Sequence, residues 1–358
     1  MMKGLKKWRL FAMLTALAAF LSACGIDEIS TLRPAGPVGK EQLNILILAV
    51  CIMTLVVVVV SVIYFVAFLR FRRGKVGENH MPKQVEGSHT LEVIWTVIPI
   101  ILLLILAVPT LTATYKFADV SAADEVDEAG EKTAVTVNVT AKLYWWEFEY
   151  PDYGIITGQE LVVPTGEKVY FNVTAADVKH AFWIPSVGGK IDNNVDNINK
   201  FYLQFDQQSA ELEDGVFYGK CAELCGPSHA LMDFKVKSLD RPAFDAWVAS
   251  MKATEGNLAD ANSSDAGEAA FAQSCLGCHA VSAVAGAGIG PNLTTFGDRN
   301  RTAGFMEHTE EAVVEWIMDG TETDSKLKPG NLMTGKYNVS EAEAQAIAEY
   351  LMTLKVED

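Results

Sequence analysis

Two unbroken apolar runs restrict what this 358-residue chain can fold into. From Ile45 to Leu69 only Thr54, Ser61 and Tyr64 interrupt the hydrocarbon, and a second run extends from Val93 to Leu111. Each is long enough to cross a bilayer core of about 30 Å as a helix. A lipid-facing backbone must also satisfy its own hydrogen bonds, which a helix does. Between the runs lies RFRRGK, Arg70 to Lys75. The excess of positive charge in cytoplasmic loops keeps that segment inside. The expected arrangement is a hairpin through the membrane, with everything after about Tyr115 outside. Cys51, within the first run, reads as a small apolar residue. Glu92 stands at the cytoplasmic edge of the second run, where a carboxylate is costly unless hydrated or paired. It is either a functional group or an interfacial, solvated glutamate.

The first 24 residues, MMKGLKKWRLFAMLTALAAFLSAC, have the basic start, short apolar run and small-residue end of a secretory leader, which agrees with the loop charge. The end, Leu21-Ser22-Ala23-Cys24, resembles the bacterial lipoprotein cleavage box. That resemblance implies removal of residues 1–23 and acylation of Cys24.

Charge divides the chain. Residues 1–116 carry 12 Lys and Arg against 6 Asp and Glu, a net of +6; residues 117–358 carry 17 against 39, a net of −22. An acidic water-facing body argues against nucleic-acid binding, which needs basic surface. It suits a basic protein partner or simple solubility.

After the acidic stretch at 118–131 come short runs rich in Val, Thr, Tyr and Phe, at 134–141, 144–150, 159–164, 168–175, 181–185 and 200–205. Alternation, with Pro and Gly between runs, predicts an all-β sandwich or Greek-key barrel. Helix is expected from about Arg241.

Within this region the stretch KCAELCGPSHALM holds Cys221, Glu223, Cys225, His229 and Met232. A disulfide between Cys221 and Cys225 would close a very small loop and leave the other three without a role. Zinc would use Cys and His but has little need of a thioether. Two thiolates, an imidazole and a thioether are the soft set that copper selects. A second imidazole must come from elsewhere, and His180, in DVKHAFWIP, is the only other histidine between 117 and 255.

The pattern C-x-E-x-C-x-x-x-H-x-x-M, preceded by D-V-x-H-x-F-W-x-P, resembles the dinuclear copper (CuA) cupredoxin domain of cytochrome c oxidase subunit II. The order of leader, two spans and β domain is similar as well, from Cys24 to about Ser250. The resemblance implies that Cys221 and Cys225 bridge two copper ions, that His180 and His229 each cap one, and that Met232 and the Glu223 carbonyl are weak axial ligands. It further implies that the Glu223 side chain faces a magnesium ion shared with subunit I, and that Glu92 is the glutamate at the mouth of a proton channel. Tyr144, Trp145 and Trp146 match the segment where electrons enter, with Tyr144 standing where many relatives carry Trp. After GGKID the expected Pro-Gly turn is replaced by NNVDN. Such a ligand set leaves no open coordination position for oxygen, so the chain relays electrons and oxygen is reduced elsewhere.

Beyond a helical stretch at 241–253 and the linker DANSSDAG, FAQSCLGCHA contains CxxCH, the covalent attachment signature of c-type haem. Cys275 and Cys278 would form the thioethers and His279 the proximal ligand. Gly267 and Phe271 before the motif, and an amphipathic helix near the chain end, resemble the crossed helices of a small class I cytochrome c. GPNL at 290–293 resembles the loop whose proline carbonyl orients the proximal histidine. Met306, His308, Met318, Met333 and Met352 are available as sixth ligand. Met333, in the Pro/Gly loop LKPGNLM, resembles the axial methionine, although Thr334 follows where proline is common. A Met/His haem has a raised potential suited to passing electrons onward.

The expected whole is a membrane-anchored multidomain chain: leader 1–23, transmembrane hairpin 24–116, all-β cupredoxin domain 117–255 and all-α cytochrome c domain 256–358. It resembles subunit II of a bacterial haem–copper oxidase with a fused cytochrome c. The resemblance implies a proton-pumping oxidase complex in the bacterial cell membrane. Both soluble domains lie outside the cell, and subunit I and other oxidase subunits are partners. An external donor, cytochrome c or a quinol:cytochrome c reductase, supplies electrons. Alternatives are subunit II of a copper-containing nitric oxide reductase and a free-standing, lipid-anchored redox carrier.

Overall fold

The computed structural model describes residues 25–77, 81, 83–128, 130, 132–284 and 288–357, with Met13, Thr15 and Ala16. Cys24 and nearly all of the leader lie outside the described residues. Among the described residues two helices are long and apolar enough to span a membrane: α1, Pro37–Phe71, and α2, His89–Ala118. Both begin before their apolar runs. For α1 the reason is contact with the β domain. Gly36 and Gly39 lie against the backbone of Gln204 and Val187, and a Cβ at either position would collide with it. Ala35 N donates to Ser186 O at 2.6 Å, Asp206 N to Ala35 O at 2.8 Å, and Lys40 pairs with Asp206 at 2.7 Å. The first turns of α1 are therefore built into the soluble domain. The long Val, Ile and Leu surfaces further along remain exposed, as lipid-facing side chains must be.

Among the described residues ten strands form two five-stranded sheets. One has the order β3-β2-β1-β5-β8: Ile155–Gly158, Trp145–Tyr150, Val135–Lys142, Lys168–Ala175 and Asn199–Gln204. The other has the order β4-β10-β9-β6-β7: Glu160–Pro164, Asp233–Leu239, Phe217–Cys221, His180–Trp183 and Ile191–Asn193. Parallel pairing of β1 with β5 and of β4 with β10 gives a sandwich rather than a simple meander. Its centre is aromatic: Trp146, Phe148, Phe171, Phe182 and Phe234 are at most 1 % exposed, and the Phe182 and Phe234 rings stack at 4.8 Å.

Gly219 on β9 leaves room for that centre, because a side chain there would enter the Phe234 ring. Gly219→Ala is expected to cost about 1–3 kcal/mol through overpacking. The measurement is thermal unfolding of the full chain, and an unchanged midpoint would show that the ring has room to move aside.

Helix α3, Arg241–Lys252, is capped by Asp240, whose carboxylate accepts from Ala243 N at 2.9 Å. It packs Phe244, Trp247, Val248 and Met251 onto the sandwich. The C-terminal part holds α4, Ala266–Ser274, α5, Glu310–Thr321, and α6, Glu341–Thr353, around a separate core including Phe271, Val313, Ile317, Ile347 and Leu351. Helices α4 and α6 cross at Gly267, where a side chain would meet the Ala346 carbonyl. Just beyond, the Phe271 and Tyr350 rings lie 5.6 Å apart.

The two soluble domains are firmly joined. Ile156 N donates to Ala283 O at 2.7 Å, and Ala283 belongs to the sandwich core. Asn300 N donates to Glu160 at 2.5 Å, Lys235 Nζ to Gly304 O at 3.1 Å, and Lys237 Nζ to Asp298 O and Glu357, each at 3.0 Å.

Candidate metal centre and haem site

Strand β9 ends at Cys221, and the chain then turns through Cys225 into a short 3-10 turn, His229–Leu231, before β10. Strand β6 lies beside β9, with Phe182 opposite Cys221, and so brings in His180 from forty residues upstream. The two sulfurs lie 3.9 Å apart, far beyond a disulfide bond. Cys221 Sγ is 3.8 Å from His180 Nδ1 and 3.3 Å from the Glu223 carbonyl. Cys225 Sγ is 3.6 Å from His229 Nδ1 and 3.8 Å from Met232 Sδ. Sequence reasoning nominated these six residues, and the fold gathers their donor atoms. Among the described residues, His180, Cys221 and Cys225 form a group of potential ligands within 4.8 Å of one another. His180, Cys221 and Met232 are buried and the other three partly so, and with two thiols, two imidazoles and a thioether the set fits copper.

The electrostatics favour metal-ready thiolates. A hydrogen bond from Cys225 holds the Cys221 thiol well below the usual cysteine range, and His180 adds to this. The same contact pushes Cys225 up, so the pair shares a proton that a cation would displace. Burial opposes protonation of His180, but its hydrogen bonds to Cys221 and Asp177 outweigh burial and raise the imidazole.

Asp177 is the residue that sequence reasoning missed. Its carboxylate lies 2.8 Å from His180 Nε2 and also accepts from Leu143 N at 2.7 Å and Val178 N at 2.6 Å. That contact turns Nδ1 toward the cysteines and fixes the ring. The signal was present in D-V-x-H, but only the fold shows the aspartate reaching back to the histidine.

The aromatic run is largely covered. Tyr144, Trp145 and Trp146 are 5 %, 8 % and 0 % exposed. Trp146 is core, its indole donating to the Met232 carbonyl at 3.3 Å. Tyr144 lies against Gly330 of the C-terminal domain. The Glu223 carboxylate is 3.9 Å from Lys190 Nζ. Glu92 sits in the exposed first turn of α2.

In the C-terminal domain Cys275 and Cys278 close the end of α4 as free thiols. His279 Nδ1 is 2.8 Å from the Pro291 carbonyl, which leaves Nε2 for a ligand. Burial holds this imidazole below its usual range, against the pull of the Pro291 contact. The ring lies under Gly290, where a Cβ would come within 2.5 Å of Cε1. Met333 is half-buried beside Gly320, and its amide donates to Asn331 Oδ1 at 2.9 Å. His308 is engaged elsewhere, with Thr302 Oγ1 at 3.1 Å and the Phe296 ring at 5.1 Å. Free cysteines, an oriented imidazole and a tight glycine beside it fit a covalently held haem.

Family models match along the chain: the transmembrane domain of cytochrome c oxidase subunit II over residues 33–113, its periplasmic domain over 155–239, and cytochrome c over 264–355. The chain is 57% identical over 362 residues to cytochrome c oxidase subunit 2 of Bacillus sp. (strain PS3), covering 100% of both. The chain belongs to the cytochrome c oxidase subunit II family. The Bacillus subtilis (strain 168) cytochrome c oxidase subunit 2 is 50% identical over 358 residues, covering 98% of this chain and 99% of that one. A quinol oxidase subunit 2 from Bacillus cereus is 30% identical over 256 residues, 71% of this chain. The periplasmic domain of subunit II from Bradyrhizobium japonicum is 31% identical over 32% of this chain and 91% of that chain, with a TM-score of 0.30. As a subunit II with a cytochrome c domain, the chain is a two-span membrane component of a haem–copper oxidase, an oxidoreductase, and relays electrons to subunit I. The nitric oxide reductase and free-carrier alternatives are not favoured by these matches.

Proposed function

We propose that single electrons pass from a haem c held by Cys275, Cys278, His279 and Met333 to a dinuclear copper centre held by His180, Cys221, the Glu223 carbonyl, Cys225, His229 and Met232, and thence to subunit I for reduction of dioxygen. Cys221 and Cys225 would hold a copper centre, which would supply fast one-electron exchange with little reorganisation. The chain's own residues supply the rest: Asp177 orients His180, Pro291 orients His279, and the sandwich buries the Cys221 sulfur. The cluster of soft donors 3.3–3.9 Å apart carries this reading. Metal and haem analysis of the purified chain tests it: two coppers and one haem per chain are expected. Absence of copper, or a Cys221–Cys225 disulfide, overturns it.

The division into a hairpin to residue 116, a cupredoxin domain to 255 and a cytochrome c domain beyond belongs to the same proposal. So does a position with both soluble domains outside the bacterial cell membrane, an acylated Cys24, and an external cytochrome c or quinol:cytochrome c reductase as donor. A magnesium ion at the Glu223 carboxylate has no support within this chain.

Glu92, in the first turn of α2, is proposed to gather protons for subunit I. Glu92→Gln is expected to slow oxygen turnover of the assembled complex, by less than the roughly 10²–10⁴-fold that a positioned acid–base group contributes. Both metal spectra should be unaltered. Normal turnover would return Glu92 to an interfacial, solvated role.

A further inference from the structure

The loop that carries the proposed copper ligands and the loop that carries the proposed haem methionine touch each other. Ser228, between Cys225 and His229, is 0 % exposed, and its hydroxyl donates to the Pro329 carbonyl at 2.7 Å. Four residues after Pro329 comes Met333. Gly330 lies against Pro227 and Tyr144: a Cβ there would meet Pro227 Cγ at 3.3 Å and Tyr144 at 3.5 Å. Its φ of +77° is one that glycine adopts without strain. On the other side Gly226 closes on the same phenol, so Tyr144 is wedged between the two loops.

The partner loop is stiff. The Asp319 carboxylate accepts from Ser325 Oγ and from Lys326 N. Lys328 N donates to Ser325 Oγ at 2.7 Å, and Asn331 Nδ2 to the Lys328 carbonyl at 2.8 Å. Lys328 is 3 % exposed and donates its ammonium to the Ala303 carbonyl at 2.9 Å. A stiff loop transmits position, so one hydrogen bond at its apex can fix where Met333 lies relative to Cys225 and His229.

We propose that Ser228 is a positioning residue. Its hydrogen bond to Pro329, with Tyr144 as the wedge, latches the haem domain onto the copper loop and sets the distance the electron crosses. The inference rests on the ligand assignment above. The transfer moves one electron from reduced haem iron to the oxidised copper pair; no bond forms or breaks and no proton moves. The buried latch also explains why Tyr144 offers no surface to a soluble donor. Electrons reach the copper centre through the chain's own haem domain.

Ser228→Ala in the full chain tests this in two ways. In copper-free protein, amide exchange at Asn331 and Met333 should accelerate at least tenfold. In the loaded oxidase, an electron injected into haem c by a photoexcited ruthenium complex should reach copper several-fold more slowly, because the rate of electron tunnelling falls exponentially as the distance between donor and acceptor grows. The rate at which the ruthenium complex reduces haem c should be unchanged. An unaltered exchange rate or an unaltered transfer rate overturns the latch. If Ser228→Ala fails to hold copper, Gly330→Ala replaces it in the transfer measurement, with slower transfer expected and an unaltered rate again decisive against. If the wild-type chain itself lacks the copper or haem spectrum, the ligand assignment fails, a result distinct from slow or normal transfer between two intact centres.

Discussion

Cys225→Ser should strip the copper from this chain entirely while leaving haem attached. Cys225 Sγ lies within 3.6–3.9 Å of the Cys221 sulfur, the His229 nitrogen and the Met232 sulfur, so it links both halves of the ligand set. A serine hydroxyl is harder, stays protonated at neutral pH and is a poor bridge between soft ions. Loss of partners that merely orient a ligand typically costs about 10–100-fold in affinity, and a bridging ligand must cost more. Because metal binding is coupled to folding, the β domain should also lose the thermal stabilisation that copper gives it, about 2.7 kcal/mol for a metal present at a hundred times its dissociation constant. The measurements are copper content, the near-infrared absorption band and the unfolding midpoint with and without copper. Haem attachment at Cys275 and Cys278 should be untouched, since those thiols close a helix in a separate hydrophobic core. Retained copper would show that the sulfur at 225 is not a ligand.

Much of this site was legible in the sequence because the metal demands particular atoms at particular spacings. Cys221, Cys225, His229 and Met232 fall within one loop, so their proximity follows from the chain itself. His180 was placed by scarcity, as the only other imidazole of the region. Less visible were contacts made by the fold. Asp177 gives no sign on its own that it will reach back to His180 Nε2.

Four strands were also missed, and each had a physical reason. β3 and β7 have only four and three residues, too few for an alternation to register. β9 runs directly into the ligand loop, and its Gly219 has no side chain to add to a pattern. β10 reads DFKVKSL, which alternates with lysine and suggests a solvated face. Yet Lys235 is 2 % exposed, because its ammonium ends on the Gly304 carbonyl of the neighbouring domain. A lysine written into a strand normally means water, and here it marks a surface between two parts of the chain. The same surface covers Tyr144 with Gly330, 186 residues further along, a contact that no local pattern announces.

Met333→Ala should convert the haem from a low-spin, six-coordinate state to a weakly ligated one and lower its potential, with copper content unchanged. Axial ligands set haem potentials over a range of about 0.8 V, and a thioether lies toward the upper part of it. The substitution should act on ligation alone because the loop does not depend on the Met333 side chain for its shape. Asn331 Oδ1 holds the Met333 amide, Thr334 Oγ1 donates to the Asn331 carbonyl at 2.9 Å, and Tyr337 Oη donates to the Ile317 carbonyl at 2.6 Å. The removed atoms lie beside Gly320, at the edge of the core rather than within it, so the destabilisation should fall near the lower end of the roughly 2–5 kcal/mol seen for buried Met→Ala. Visible and near-infrared spectra of the ferric and ferrous protein, with a redox titration, read the result. An unchanged spectrum would move the sixth ligand to another residue. His308 already engages Thr302 Oγ1 through its Nδ1, at 3.1 Å.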